Sequence, residues 1–138
     1  MRRVFAAMVG DLFHFGHVVF LRQARALGDH LTVGLVTDRR AAGYKRPPVL
    51  SYEERKAVVL ACRYVDDVVP LDQNVTNDFM SAGNFSIRAY GAANEAEKQR
   101  YMETLLADMD PAYLHRIPYS DGISTGQIIE RILNRKDL

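Results

Sequence analysis

Two short runs, Val4 to Val9 and Leu31 to Val36, constrain this chain more than any other feature, because the first is continuously apolar and the second is broken by a single polar residue, Thr32. A strand with one wet face alternates, so an unbroken run belongs to a strand covered on both faces, as in a parallel sheet. Between the runs, His17 to Leu27 has helical spacing, with Phe20, Leu21, Ala24 and Leu27 on one side, and Gly28 reads as a helix stop. Strand, helix, strand is the unit from which parallel sheets are built.

The same alternation continues downstream. Residues 37 to 50 are polar and basic and contain Pro47-Pro48, so no regular helix is expected there. Ser51-Tyr52-Glu53-Glu54 is a capping box that opens a helix through about Cys62. Strands are expected at Val65 to Val69, Phe85 to Tyr90 and Leu114 to Ile117. Helices are expected at Thr76 to Ala82, Asn94 to about Asp108, and Ser124 to Arg135, the last with Ile128, Ile129, Ile132 and Leu133 facing inward. The expected fold is α/β: a Rossmann-like, doubly wound parallel sheet of five strands with helices on both faces, forming a single domain over residues 1–138.

Composition narrows the function classes. Eighteen basic residues face seventeen acidic ones in 138, which argues against a broad nucleic-acid or membrane surface, so any anion site must be local. No apolar stretch approaches the ~20 residues of a membrane span. Cys62 is the single cysteine, in an apolar run that reads as core, so no internal disulfide can form. The basic start Met1-Arg2-Arg3 leads into a first strand without a cleavage context, and a cytoplasmic location is expected.

In such folds ligands bind at the carboxyl ends of the strands, so the turn after the first strand is where chemistry belongs. It reads Gly10-Asp11-Leu12-Phe13-His14-Phe15-Gly16-His17. Gly16 clears space where a helix begins, and the helix N-terminus offers unpaired N–H groups and partial positive charge. Two imidazoles beside it can donate to phosphate oxygens and stabilise charge on a phosphoryl group in its transition state. The bland alternatives are a metal-binding pair and two incidental surface histidines.

His14-Phe15-Gly16-His17 resembles the His-x-Gly-His hallmark of the cytidylyltransferase branch of the nucleotidyltransferase superfamily. Three further segments resemble that branch in order. Tyr44-Lys45-Arg46-Pro47-Pro48 is similar to a Tyr-Lys-Arg-x-Pro loop whose lysine contacts the triphosphate, which implies that role for Lys45. A Lys-Arg pair on a proline-stiffened loop suits a mobile cationic clamp, or a plain solvated loop. Arg63-Tyr64-Val65-Asp66-Asp67-Val68 is similar to an Arg-Tyr-Val-Asp-Glu-Val segment, which implies a phosphate contact for Arg63; the alternative is a pair with Asp66 or Asp67, and Arg55 has a similar status. Gly122-Ile123-Ser124-Thr125 resembles the family's Gly-Ile-Ser-Thr at the start of its last helix, with Ser124 and Gln127 as another capping box.

The chain also departs from the pattern. Val9-Gly10-Asp11 stands where Gly-x-Phe-Asp is usual, and Gly91-Ala92-Ala93 where Gly-Asp-Asp is usual, so the base contact is altered. The family arginine before Gly-Ile-Ser-Thr is replaced by Pro118-Tyr119-Ser120, with Arg88 and Arg116 as other sources of charge. The resemblance implies transfer of CMP from CTP to a small phosphorylated alcohol or phosphonate, with pyrophosphate released. It implies His14, His17 and Lys45 as catalytic groups. It further implies nucleotide contacts from Val9, Gly10, Asp11, Gly16, Arg55, Arg63, Gly91, Gly122, Ile123, Ser124 and Thr125. Mg2+ is expected on the triphosphate without a direct protein ligand, Asp11 being an indirect partner, and a homodimer is expected. Adenylyl transfer on the same fold and a non-catalytic nucleotide-binding module are the alternatives.

Overall fold

A computed structural model describes residues 1–44, 46–92, 94–118 and 123–138. Five strands form one all-parallel sheet in the order β3-β2-β1-β4-β5. They are β1 (Arg3–Met8), β2 (His30–Val36), β3 (Asp67–Leu71), β4 (Ile87–Gly91) and β5 (Leu114–Ile117). Helices α1 (Phe15–Arg25) and α3 (Tyr52–Leu60) cover one face; Leu21 and Ala24 of α1 and Val59 of α3 are fully buried there against Val4 and Ala6. Helices α2 (Asp38–Tyr44), α4 (Asn77–Ala82) and α5 (Glu95–Glu103) lie over the other, where Phe5 packs with Ala41, Met80, Leu106 and Met109. Alternate residues of β1 thus feed two cores, as its unbroken apolar run requires, and each fully buried large side chain contributes ~1.5–3 kcal/mol. The expected doubly wound architecture is present.

Strand order reverses at β1, which is flanked by β2 on one side and β4 on the other. This is the topological switch point, where the strands' carboxyl ends leave a crevice.

Several boundaries differ from the sequence reading. Residues 37 to 50 do contain a helix, α2, because Pro47 and Pro48 fall after its last turn and bar only its continuation. β3 begins two residues later than expected and includes Pro70, which an edge strand tolerates. α5 stops at Glu103; Thr104 leaves helical geometry (φ −121°, ψ −92°) and bonds back to the Arg100 carbonyl. The chain then turns Leu106 and Met109 into the core, which a straight helix would not do. Gly28 is not a left-handed cap: Ala26 ends α1, and a Cβ at Gly28 would stand 2.4 Å from the Arg2 carbonyl oxygen. Close approach is what that position demands.

The final helix, α6 (Thr125–Leu133), has the expected apolar face but does not bury it. Ile128 and Ile129 are half-buried, whereas Leu133 is 77% exposed. Periodicity sets which face is apolar, not whether another layer covers it. Cys62 packs half-buried against the first core. Among the described residues no helix is long and apolar enough to cross a membrane.

Candidate active site

The turn after β1 is built by conformation as much as by side chains. Gly10 adopts φ +67° and Leu12 φ +48°, folding the chain sharply back toward α1. Asp11 is buried and acts as a clasp. Its carboxylate accepts the amide N–H groups of Val49 (2.8 Å) and Leu50 (3.0 Å), pinning the proline-rich loop to the turn. Its own carbonyl accepts the Thr125 hydroxyl at 3.0 Å, which ties the start of α6 to the same place.

His14 is the N-cap of α1, and its Nδ1 accepts the Gly16 N–H at 3.0 Å. His17, three residues on, returns the bond: its Nδ1 accepts the His14 N–H at 3.1 Å. The pair is a capping box made of two imidazoles. A backbone N–H can only donate, so both Nδ1 atoms are acceptors and each neutral ring carries its proton on Nε2. The rings lie 3.9 Å apart between centroids, and Phe13 stacks on His17 at 5.3 Å. Burial lowers the pKa of His14; burial and then the neighbouring His14 push His17 down to about 4, against a smaller upward pull from Asp11. Two neutral N–H donors are therefore fixed in one tautomer by the backbone itself. Gly16 is required by space: a Cβ there would meet the His14 ring at 2.9 Å and Ile123 at 3.3 Å.

Two cavities share His17, Arg46 and Thr125 in their walls. The smaller, about 160 Å³, is floored by Val9, Gly10 and Asp11. The larger, about 500 Å³, lies at the switch point between Met8 of β1 and Gly91 at the end of β4, and includes His14, Gly16, Ile123 and Ser124. Such a volume suits a small ligand. α6 begins at this cleft: Ser124 caps it, accepting the Gln127 N–H at 3.1 Å and keeping its hydroxyl proton to donate. Only this half of the expected Ser124–Gln127 box forms. Two helix N-termini, two imidazole N–H donors and a guanidinium thus converge on one cleft, a combination that favours an extended polyanion.

Of the sequence-predicted site residues, Val9, Gly10 and Asp11 line the smaller cavity, His14, Gly16, Gly91, Ile123 and Ser124 the larger, and His17 and Thr125 both. Lys45 and Gly122 lie outside the described residues. Two expected contacts are corrected. Arg55 is 0% exposed and fully committed: Nη1 donates to the carbonyls of Val9 (2.6 Å) and Val36 (2.8 Å), Nε to that of Leu50 (3.2 Å), and Nη2 to Asp38 (2.6 Å). It is a buried brace across the ends of β1 and β2 rather than a phosphate ligand. Arg63 is exposed on a separate depression beside Phe13 and Tyr64, away from the cleft's walls. It pairs with neither Asp66, whose partner is Arg25 at 3.0 Å, nor Asp67. Thr125 also changes role, since its hydroxyl proton is spent on Asp11 and its backbone N–H is what remains for a ligand.

Arg46, the second cation of the Lys45-Arg46 clamp suggested by the sequence, lines both cavities, although the resemblance gave the catalytic role to Lys45 alone. Tyr101 of α5 lines the larger cavity, and nothing in its local sequence marked it. The other suggested sources of charge do not serve the cleft. Arg116 bonds the Ala92 carbonyl and Glu95, and Arg88 points to a different cavity. No group of three or more His, Cys, Asp or Glu among the described residues could hold a metal ion, and both Asp11 carboxylate oxygens are occupied by amides.

Ethanolamine-phosphate cytidylyltransferase of Dictyostelium discoideum is 33% identical over 134 residues, which are 95% of this chain but 36% of that protein. Across four such relatives the chain spans 16% to 36% of their length. Glycerol-3-phosphate cytidylyltransferase of Bacillus subtilis is 31% identical over 132 residues, covering 96% of this chain and 98% of that one. FAD synthase of Thermococcus sibiricus is 35% identical over 136 residues, covering 95% and 92%. A crystal structure of the lipopolysaccharide core biosynthesis protein from Thermoplasma volcanium shares the fold, with a TM-score of 0.70 at 23% identity over 88% of this chain and 99% of that one. The cytidylyltransferase-like family model matches residues 10–131, from the glycine of the β1 turn to the last helix. With the histidine capping box and the α6 start inside that span, the chain belongs to the cytidylyltransferase-like family.

Proposed function

We propose that this protein transfers CMP from CTP to a small phosphorylated alcohol or phosphonate. The single observation that carries the proposal is the imidazole capping box, which presents two neutral Nε2–H donors at the start of α1 beside the start of α6. A phosphate or phosphonate oxygen of the acceptor attacks the α-phosphorus of CTP. The bond from that phosphorus to the bridging oxygen breaks, and pyrophosphate leaves. The nucleophile is already an anion, so no protein base is required. His14 and His17 donate to the α- and β-phosphates, and Arg46 with Lys45 supplies cationic charge. The Ser124 hydroxyl and the N–H groups of α6 hold the leaving pyrophosphate. Mg2+ arrives on the triphosphate as part of the substrate, held by phosphate oxygens and water.

The test is pyrophosphate release from CTP with a panel of phospho-alcohols and phosphonates. Replacing His14 by Ala should lower turnover by about 10²–10³ or more while leaving the melting temperature within a few degrees. Full activity in His14→Ala overturns the mechanism.

A second reading, adenylyl transfer, draws on the similarity to FAD synthase and on Ala92-Ala93, where the sequence lacks the expected acids. Running the same panel with ATP in place of CTP separates the two. The proposal includes a homodimer.

A further inference from the structure

The carboxyl edge of the sheet carries another cavity, about 510 Å³, on the face away from α1. Its walls come from the second core, at Val36, Leu71 and Val75, and from two cations, Arg40 of α2 and Arg88 of β4. Ala7 of β1 lines both this cavity and the histidine cleft, so the two meet across a single small side chain.

Arg88 is the anomaly. It is 8% exposed, yet it has no carboxylate partner among the described residues. Nη1 donates to the Met109 sulfur at 3.1 Å, a weak acceptor, and Nε has no hydrogen-bond partner among the described residues. Burial, and then the Arg40 charge, lower its pKa to about 10, so it stays a cation at neutral pH. Arg40 donates to Asn74 at 2.6 Å and feels the charge of nearby Asp72, but no acidic residue lines the cavity among the described residues. A buried cation with an unused donor, next to a second cation, is costly unless an anion completes it.

We propose that this cavity receives an anionic group, a carboxylate or a second phosphate, at the end of the acceptor remote from the attacking oxygen, held by Arg88 and Arg40. This rests on the transfer reaction proposed above. A cationic tail such as the ammonium of ethanolamine phosphate would meet two guanidinium groups and no acid among the described lining residues. Although ethanolamine-phosphate enzymes are among the relatives, the preferred acceptor of this chain therefore carries a negative tail.

The experiment compares three acceptors of similar length: phosphoglycolate, glycerol phosphate and ethanolamine phosphate. Pyrophosphate release is followed with CTP and with ATP. Phosphoglycolate should exceed ethanolamine phosphate by about tenfold or more in kcat/KM. Arg88→Met should erase that preference through the acceptor KM and leave the CTP KM unchanged. A preference for ethanolamine phosphate, or one that survives in Arg88→Met, overturns the inference while transfer itself stands. Absence of turnover with every acceptor and both nucleotides counts against the transfer reading instead, and titration calorimetry then judges the cavity. Phosphoglycolate binding lost in Arg88→Met supports the anion site; equal binding by the two proteins overturns it. Inorganic phosphate binding through Arg88 as tightly as phosphoglycolate would make the ligand a free anion and overturn its assignment to the acceptor. Should Arg88→Met melt early, Arg40→Gln, on a half-buried side chain, carries the same comparison.

Discussion

Each imidazole in the β1 turn has its orientation set by a backbone amide, so its chemistry is inseparable from the first turn of α1. Gly16 keeps that arrangement open, with the His14 ring 2.9 Å from where a Cβ would be. Gly16→Ala should tilt the ring off its amide and lower kcat/KM by about tenfold or more with only a small change in melting temperature. Steady-state kinetics beside a thermal melt check this. His17 also makes folding pH-dependent. Its folded pKa of about 4 lies below the ordinary value of 6.5, so between these limits the unfolded chain binds more protons. Its effect is absent above about pH 6.5 and grows as pH falls toward 4, where the protein loses stability. A series of melts from pH 7 to pH 4 should show the decline, and His17→Gln should flatten it. Both histidines and the glycine were legible in the sequence because they fall within four residues of one turn. The tautomer was not, because it depends on which amides the fold brings to Nδ1.

At the scale of elements, the ends of β1 and β2, the proline loop and α2 are held together by Arg55, whose donors satisfy three carbonyls and Asp38. The family resemblance implied a phosphate contact for Arg55. Which way it points is decided by packing. Replacing Arg55 by Met would leave Val9, Val36 and Leu50 carbonyls without their donor beneath the cleft, and should cost about 3–5 kcal/mol. Urea unfolding measures that loss, and any fall in activity should follow it. Capping signals fared better: Ser51–Glu54, Thr76 and Asn94 begin their helices where the sequence places them, because a cap is satisfied within three residues. Helix ends fared worse. α5 stops early because Leu106 and Met109 are needed in a core that no local pattern describes.

On the scale of the whole molecule, strand order brings the β1 turn, the end of β4 and the starts of α1 and α6 to one crevice, and it leaves two apolar surfaces open. Phe15, between the two histidine-bearing ends of the motif, is 68% exposed, and the last turn of α6 is uncovered. The proposed homodimer would use the Phe15 surface. Sedimentation should give a dimer, and Phe15→Glu should shift it toward monomer; a wild-type monomer at micromolar concentration would rule this out. The sequence by itself determined the parallel α/β class, the four family-like segments and the caps, since each is written in neighbouring residues through hydrophobic period, glycine placement or side-chain-to-backbone bonds. Only the tertiary structure decided which charged residues serve the ligand. Arg46 turned toward the cleft, Arg55 into the scaffold, Arg63 away, and Arg88 into a second cavity across β1. An arginine's role depends on what its long side chain reaches, and that is set by segments distant in the chain.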